Sequence, residues 1–534
     1  MLCQLQSWCR ICSHVPILEV SRSGDTLLQR MTPIPAQPEF DSGLMWFRRD
    51  LRCHDNPALW LALRSCRKVY CVFTWDSDML DPLPRSDRRV EFIHHSLDEL
   101  DSQLRRLAQI HHVPDAEHAG LIFLRGRAQV LLPELAYSLG VQAVFANHDE
   151  EPATMARDNQ VRGGLSDRGI SLRTCKDHVI FGRDELLTAN QTPFTSFAPY
   201  LEHWLARLTP WYLSSYPSSQ YSQRLTARPP AWRQAPPTLE ALGFHATNLD
   251  DLAIHPGTSG AHRQWEEFMH RMQDFPLRRQ FPAVRGPSYL GVHLRFGTLS
   301  IREAARSARE RQLQGDTGAG AWLAQLAQRD YCLQLLYHLP QLTDKAFHPE
   351  LDRLPWDHGP HGKKLFQAWC EGRTGYPLVD AAMRQLQQSG YMHHQLRVLT
   401  ANFLTRHLNV DWRWGLRHFD TYLNDAELAS NLLGWQWAAG VGPDALPWFR
   451  ILDPVRQSQQ LDPQGKFIRR YLPELAALSD EDLHAPWETG PLELEAAGVI
   501  LGNSYPKPIV ELKASRRAAL ERRASLRGSR APRR

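Results

Sequence analysis

From Leu44 onward, short apolar runs alternate with stretches of helical period: LMWF, PALWLALRS, VYCVFTW, an amphipathic segment over residues 90–107, LIFL, VLLPELAYSLG, AVFA, a helix over residues 155–161, and SLRT. Strands that alternate with helices predict a parallel sheet covered on both faces. No G-x-G-x-x-G follows the first strand, which removes the dinucleotide-binding fingerprint. From about residue 265 to 475 the strand signal disappears and nearly everything reads at helical period. In TGYPLVDAAMRQLQQSG, Pro377 suits a first turn, Leu378, Val379, Ala382, Met383 and Leu386 form one apolar face, and Gly390 supplies the stop. A second helix is predicted over residues 392–408, with Met392, Leu396, Leu399 and Phe403 inward and His393, Arg397 and Asn402 off that stripe. Asp411 is predicted to cap a third helix that turns Trp412, Leu416, Phe419 and Leu423 inward.

The fold class is therefore α/β plus all-α: an N-terminal parallel α/β domain over residues 43–181 and a C-terminal all-helical domain over residues 262–512. Residues 182–261, rich in Pro, Ser and Thr (PSSQYS, ARPPAWRQAPPT, HPGTSG), read as an interdomain linker. Residues 1–42 read as a disordered leader and residues 513–534 as a basic, solvated tail. At 534 residues, two domains suit the length. A mean hydropathy of −0.43, with no apolar run of membrane-spanning length, argues against insertion in a membrane.

Charge sharpens the picture. Nine bases lie between Lys513 and Arg534 against Glu521 alone, so that segment carries +8 of a chain whose net charge is +4, leaving residues 1–512 at −4. Nucleic-acid binding by the folded part must then rest on a local groove rather than on bulk charge. The nine cysteines show no repeated spacing, the one C-x-x-C (Cys9, Cys12) has no second pair, and reduced thiols in the cytoplasm are the expectation, with no metal site.

Tryptophan is the anomaly of the helical half: Trp356, Trp369, Trp412, Trp414, Trp435, Trp437 and Trp448 fall in one short span. Each alone reads as core filling, but a cluster beside inward polar groups is also what stacking on bases or moving electrons to an aromatic cofactor requires. Four segments, GLMWFRRDLRCHDNPAL (43–59), TPFTSFAPYLEHWL (192–205), EGRTGYPLVDAAMRQL (371–386) and NDAELASNLLGWQWAAGVGPDALPWFRILDP (424–454), resemble the photolyase and cryptochrome flavoproteins. The resemblance runs from about residue 43 to 513 and is closest to the photolyases that act on cyclobutane pyrimidine dimers. It implies an N-terminal antenna domain and a C-terminal domain that binds FAD.

By position, the resemblance assigns the flavin to Phe275, Arg279, Ser288, Tyr289, Leu290, Gly291, Arg329, Arg397, Asp425, Glu427 and Asn431. Arg329 matches the arginine near the flavin phosphates, Arg397 the one beside the ring, Asp425 and Glu427 the acidic pair, and Asn431 the amide facing flavin N5. Acids also favour a helix's first turn, and only the intact surrounding motif ranks the flavin reading of Asp425 and Glu427 above that one. Trp435, Trp412 and Trp356 match the electron-relay tryptophans. Damaged DNA is the implied partner, met by Gln325, Gln328, His394, Gln395, Trp437 and Gln457.

Departures from the family pattern matter as much. The hydroxyl-rich phosphate stretch is here Pro287, Ser288, Tyr289, Leu290, Gly291, and the family's tyrosine near the diphosphate is Phe275. The usual glutamate and stacking tryptophan of the lesion pocket are Gln325 and Gln328; His394 stands where dimer photolyases carry asparagine, and Val398 where six-four photolyases carry their second histidine. Glu151 falls near the family's pterin-binding glutamate without the flanking aromatics, so a solvated helix start is the better explanation, and an antenna pigment of folate or flavin type is left open. The leading expectation is a monomeric, cytoplasmic, light-driven repair enzyme with no membrane contact. The alternatives are a cryptochrome-like photoreceptor and a flavin-binding relative without light function.

Overall fold

The computed structural model describes residues 38–445, 447 and 449–528. Most of the predicted leader, the last residues of the predicted tail and Trp448 lie outside the described residues. The chain forms two compact units, one of residues up to 187 with 200–273 and 288–330, the other of residues 188–199, 274–287 and 331 onward.

The first unit is built on β1 (Phe40–Phe47), β2 (Cys66–Trp75), β3 (Leu121–Arg125), β4 (Ala143–Asn147) and β5 (Ser171–Cys175), all parallel in the order β3-β2-β1-β4-β5. Alternation along β1 divides the core in two. Leu44 and Trp46 join Val72 and Val144 against Leu132 and Leu135 of helix Ala128–Ser138 and Val161 of helix Pro152–Ser166. Met45 and Phe47 join Phe73 and Phe145 against Leu59 and Leu63 of helix Pro57–Ser65 and Leu97, Leu100 and Leu104 of helix Arg88–Ile110. Apolar residues on both faces are what a sheet with two covers demands, and they explain why the strands read as unbroken apolar runs.

Two expectations change here. β1 begins at Phe40, ahead of the predicted start at residue 43. The segment read as a linker belongs largely to this unit: Leu225, Leu239, Leu242, Phe244 and Leu249 are buried in the same core as Met45 and Phe47. The Thr226 amide donates to the Val69 carbonyl at 3.0 Å, and the Arg228 guanidinium donates to the Leu121 carbonyl at 2.8 Å. Apolar residues buried one at a time from irregular backbone carry no period, so periodicity could not find them.

In the second unit, the predicted helix is Pro377–Ser389, stopped by Gly390 in the left-handed region at φ 63°. The predicted 392–408 helix is shorter, because the His393 side chain caps it: its Nδ1 accepts from the Gln395 amide at 3.3 Å, and helix His394–Asn402 runs on into a π turn, Phe403–His407. Asp411 caps Trp412–Tyr422 as predicted, accepting from the Arg413 amide at 3.0 Å.

The basic tail is also a structured element. Leu512–Gly528 is a helix whose residues 512, 515, 519, 522 and 526 recur at helical spacing, with Ala519 fully buried. Ser515 Oγ bonds His407 Nδ1 at 2.8 Å, and Arg522 donates to the Arg406 carbonyl at 3.1 Å. Reading the segment by its charge hid this sparse stripe, small or apolar except for Arg522.

Candidate functional site

Local geometry in the second unit starts at Gly390. A Cβ there would come within 2.1 Å of the Asn424 side chain, so glycine is needed both for its φ and for the close approach of the loop that begins NDAEL. The Asn424 amide donates to the Gly390 carbonyl at 2.9 Å and its side chain to the Ser389 carbonyl at 2.9 Å. This anchors the loop carrying Asp425, whose carboxylate accepts from Arg397 at 3.1 and 3.2 Å. Arg397 Nε in turn donates to the Met392 carbonyl at 2.9 Å, so the guanidinium is held from both sides.

Around that pair the structure gathers several predicted residues. Gln395 donates to Gln280 Oε1 at 2.8 Å, and the Arg279 guanidinium lies 5.0 Å from the centre of the Phe275 ring. Burial first, then the Arg279 charge, pushes His393 down to about 4 and His394 down to about 3, so both imidazoles are neutral at working pH. His393 is buried, whereas His394 keeps exposed surface although protein surrounds it closely enough to desolvate it. Such a side chain lines a recess. Its ring makes no hydrogen bond to any described residue.

Asn431 sits on helix Leu428–Ala438, one turn after Glu427, whose Oε2 accepts from Ser430 at 3.1 Å. Its Nδ2 donates to Asp420 Oδ1 at 2.6 Å and to the Leu416 carbonyl at 3.4 Å. Both amide hydrogens are thereby used, and Oδ1 is left as the acceptor this residue offers. Sequence reading missed Asp420 and Gln280, since nothing in their local pattern separates them from other polar residues of helix and turn.

The structure sets the first of the predicted relay tryptophans among other rings. Trp435 is buried, its ring lying so close to Gly415 that a Cβ there would meet Cη2 at 2.1 Å. Its ring neighbours are Trp369, at 6.1 Å between centroids, and Phe419, at 5.0 Å. Phe366 follows Trp369 at 5.9 Å, and Trp414 follows Phe366 at 5.3 Å. Trp412 is buried under the Arg413 guanidinium, 4.5 Å from its ring, and among the described residues neither it nor the half-buried Trp356 makes a ring contact with Trp435. Trp369 was visible in the tryptophan cluster; its adjacency to Trp435 was not.

The first unit holds the remaining predicted residues. The Ser288 carbonyl accepts from Gln264 at 2.9 Å, Tyr289 takes the left-handed conformation at φ 58°, and Leu290 leads into the short helix Gly291–Phe296. Arg329 donates to the Leu294 carbonyl of that helix at 3.5 Å and to the His178 carbonyl. Gln325 and Gln328 are half-buried and hydrogen-bond no described residue. In the second unit, Trp437 is half-buried, and Gln457 donates to Gln460 Oε1 at 3.1 Å. Glu151 precedes helix Pro152–Ser166 and pairs with Arg49 at 3.2 Å and Arg295 at 2.7 Å, so an ion-pair network occupies it.

With this geometry in hand, comparison with known proteins fixes the class. Residues 43–220 match the family described as DNA photolyase, and residues 322–525 the FAD binding domain of DNA photolyase. The chain is 35% identical over 492 residues to the deoxyribodipyrimidine photo-lyase of Vibrio cholerae, covering 89% of this chain and 98% of that one. It is 30% identical over 498 residues to cryptochrome-2 of Arabidopsis thaliana, covering 89% of this chain and 77% of that one. A solved structure, a bacterial class III photolyase from Agrobacterium tumefaciens, matches with a TM-score of 0.82 at 31% identity over 93% of this chain and 100% of that one. The class is a two-part flavoprotein, a parallel α/β unit followed by a helical one. The chain belongs to the photolyase and cryptochrome family, and its cofactor is FAD.

The residues present fit that cofactor. An accessible His394 whose ring makes no hydrogen bond to a described residue, a clamped guanidinium at Arg397 and a neutral acceptor at Asn431 offer the mixed charge and hydrogen bonding that a flavin dinucleotide calls for. Among the described residues no helix is long and apolar enough to cross a membrane.

Proposed function

We propose that this protein repairs DNA, opening the cyclobutane ring of pyrimidine dimers under blue light. FAD, when bound in its reduced form, supplies the photoexcited electron for that cleavage. The observation that carries the reading is the Asn431 amide, locked by Asp420 with Oδ1 free, because a neutral acceptor suits a reduced flavin, whose N5 carries a proton, without placing a charge beside it.

The other residues take roles that follow from their chemistry. Arg397, Asp425 and Glu427 hold and orient the cofactor, together with Arg279, Phe275, the Ser288–Gly291 backbone and Arg329. Trp437 stacks on a base of the flipped lesion, while Gln325, Gln328, His394, Gln395 and Gln457 offer hydrogen bonds to its edges and flanks. Neutral His394 donates or accepts without adding a charge to the pocket. Trp435 is the first donor of the aromatic relay, and its contact with Trp369 supports a first step to that indole beside the expected one to Trp412 and on to Trp356. We place the protein in the cytoplasm as a monomer, with damaged DNA as its partner and an antenna pigment of folate or flavin type.

One observation favours the photoreceptor reading instead: Gln328 supplies no aromatic platform where the family's dimer photolyases carry one. The deciding experiment illuminates the reduced, FAD-loaded protein with dimer-containing single- and double-stranded DNA and quantifies restored thymine. Restoration in the light alone is expected. No restoration, together with equal binding to damaged and intact DNA, would replace repair by signalling.

A further inference from the structure

On the first unit, helix Arg88–Ile110 carries His94, His95 and Asp98, none of them assigned a role above, whose ligand atoms all lie within 4.8 Å of one another. Three features distinguish this group from a chance surface cluster. His94 Nε2 lies 2.9 Å from the Pro237 carbonyl, which only accepts, so Nε2 carries a proton. Nδ1 is buried without a hydrogen-bond partner, and Asp98 Oδ2 stands 3.7 Å from it. The ring is also fixed in orientation, stacked on the Trp75 indole at 6.4 Å and 28°. A histidine that donates one ring nitrogen to a backbone carbonyl and turns the other, with no hydrogen-bond partner, towards a carboxylate is in the pose of a metal ligand.

We propose that His94 Nδ1, His95 and Asp98 form a binding site for a divalent first-row transition ion of the zinc type, with its remaining position open to water. Two imidazoles and one carboxylate suit such an ion better than magnesium or calcium, which take oxygen ligands. Ligand atoms around a tetrahedral ion with bonds of about 2.0–2.1 Å stand roughly 3.3 Å apart. The 3.7 Å pair nearly meets that spacing, and His95 and Asp98 are exposed and free to close the rest by side-chain rotation. His94 is the fixed ligand and the other two are the adjustable ones. The site uses no residue assigned to flavin or DNA, so it stands whether or not the protein repairs dimers.

The test titrates the full-length, FAD-loaded protein with zinc chloride by calorimetry, with magnesium chloride as control, and repeats it with His95→Ala and Asp98→Ala. Both variants change exposed side chains and spare the His94 contacts with Pro237 and Trp75. Loss of an outer partner alone costs metal sites 10–100-fold, so loss of a direct ligand should weaken the tightest zinc equivalent by at least about tenfold. Zinc should also raise the unfolding temperature of the parent more than that of either variant, and magnesium should do neither. In zinc-soaked crystals an anomalous difference peak should stand within bonding distance of His94 Nδ1. Equal zinc affinity and stoichiometry in parent and variants, or a peak elsewhere with His94 Nδ1 uncoordinated, would overturn the proposal.

Discussion

The polar centre of the first unit and the recess of the second are built from similar residues to opposite ends. In the first, Arg302 pairs with Asp55 at 3.1 Å and with Asp177 at 2.9 Å, Arg52 pairs with Asp177, and Ser300 donates to Asp55, all of them buried. The two guanidinium groups hold Asp177 well below the usual carboxylate range against its own burial. In the second, Arg397 and Asp425 are only half-buried, His394 is accessible and neutral, and Asn431 keeps an unused acceptor. Charges that pair with one another in the interior make scaffold. Polar groups fixed in place by neighbours but left with a free atom make a site.

The largest expected effect lies at the relay. Trp435→Phe should keep FAD bound and nearly abolish photoreduction by an external donor, since phenylalanine packs like indole but does not pass the electron on. Comparing Trp369→Phe with Trp412→Phe then assigns the route: a loss in the first alone follows the ring contacts, a loss in the second alone follows the family pattern. Unchanged photoreduction in Trp435→Phe would remove the relay altogether.

On the scaffold side, Arg302→Met strands buried Asp55 and leaves Asp177 with one partner. Breaking a buried pair this way costs about 3–5 kcal/mol of folding stability, to be read by equilibrium denaturation. If the comparison holds, Arg397→Met should lose far less stability and far more FAD.

In the lesion pocket, Trp437→Ala should weaken binding of dimer-containing DNA by about 1–3 kcal/mol, the worth of one stacked base, and by more than Gln328→Ala. Gln328→Trp should tighten it. A parent that ignores damage, with discrimination created only by Gln328→Trp, would mark the pocket as disused.

The smallest effect is a pH dependence. His393 must be neutral to cap its helix through Nδ1, and its folded pKa of about 4 lies below the unfolded value of about 6.5. Between those values the unfolded chain binds a proton that the folded one does not, so stability is full above pH ~6.5 and falls as the pH drops towards ~4. The loss between pH 6.5 and 5 should be on the order of 1 kcal/mol, and His393→Asn, which keeps an acceptor at the cap, should flatten that slope. An unchanged slope would show that other groups carry it.

How much of this was legible depended on periodicity. The five strands, the Pro377–Ser389 helix with its glycine stop and the Asp411 cap followed from local pattern, because period and capping are local physics. The residues of 182–261 that complete the first core, and the tail helix at Leu512–Gly528, did not, because irregular backbone has no period and a charge run masked Ala519. At the site, residue types were readable one at a time. The couplings that give them function, Asp420 to Asn431, Gln280 to Gln395 and Trp369 to Trp435, join positions far apart in sequence or silent in pattern.

The central claim is that the second unit's recess does the chemistry and the first unit's ion pairs only support the fold. The direct measurement is dimer repair by the reduced protein under light absorbed by the flavin itself, with Glu151→Gln and Arg397→Met beside the parent. Because direct excitation bypasses any antenna, Glu151→Gln should repair at the parental rate, while Arg397→Met should lose repair along with its cofactor. Parental repair by Arg397→Met, or loss of repair in a folded, FAD-loaded Glu151→Gln, would contradict the account.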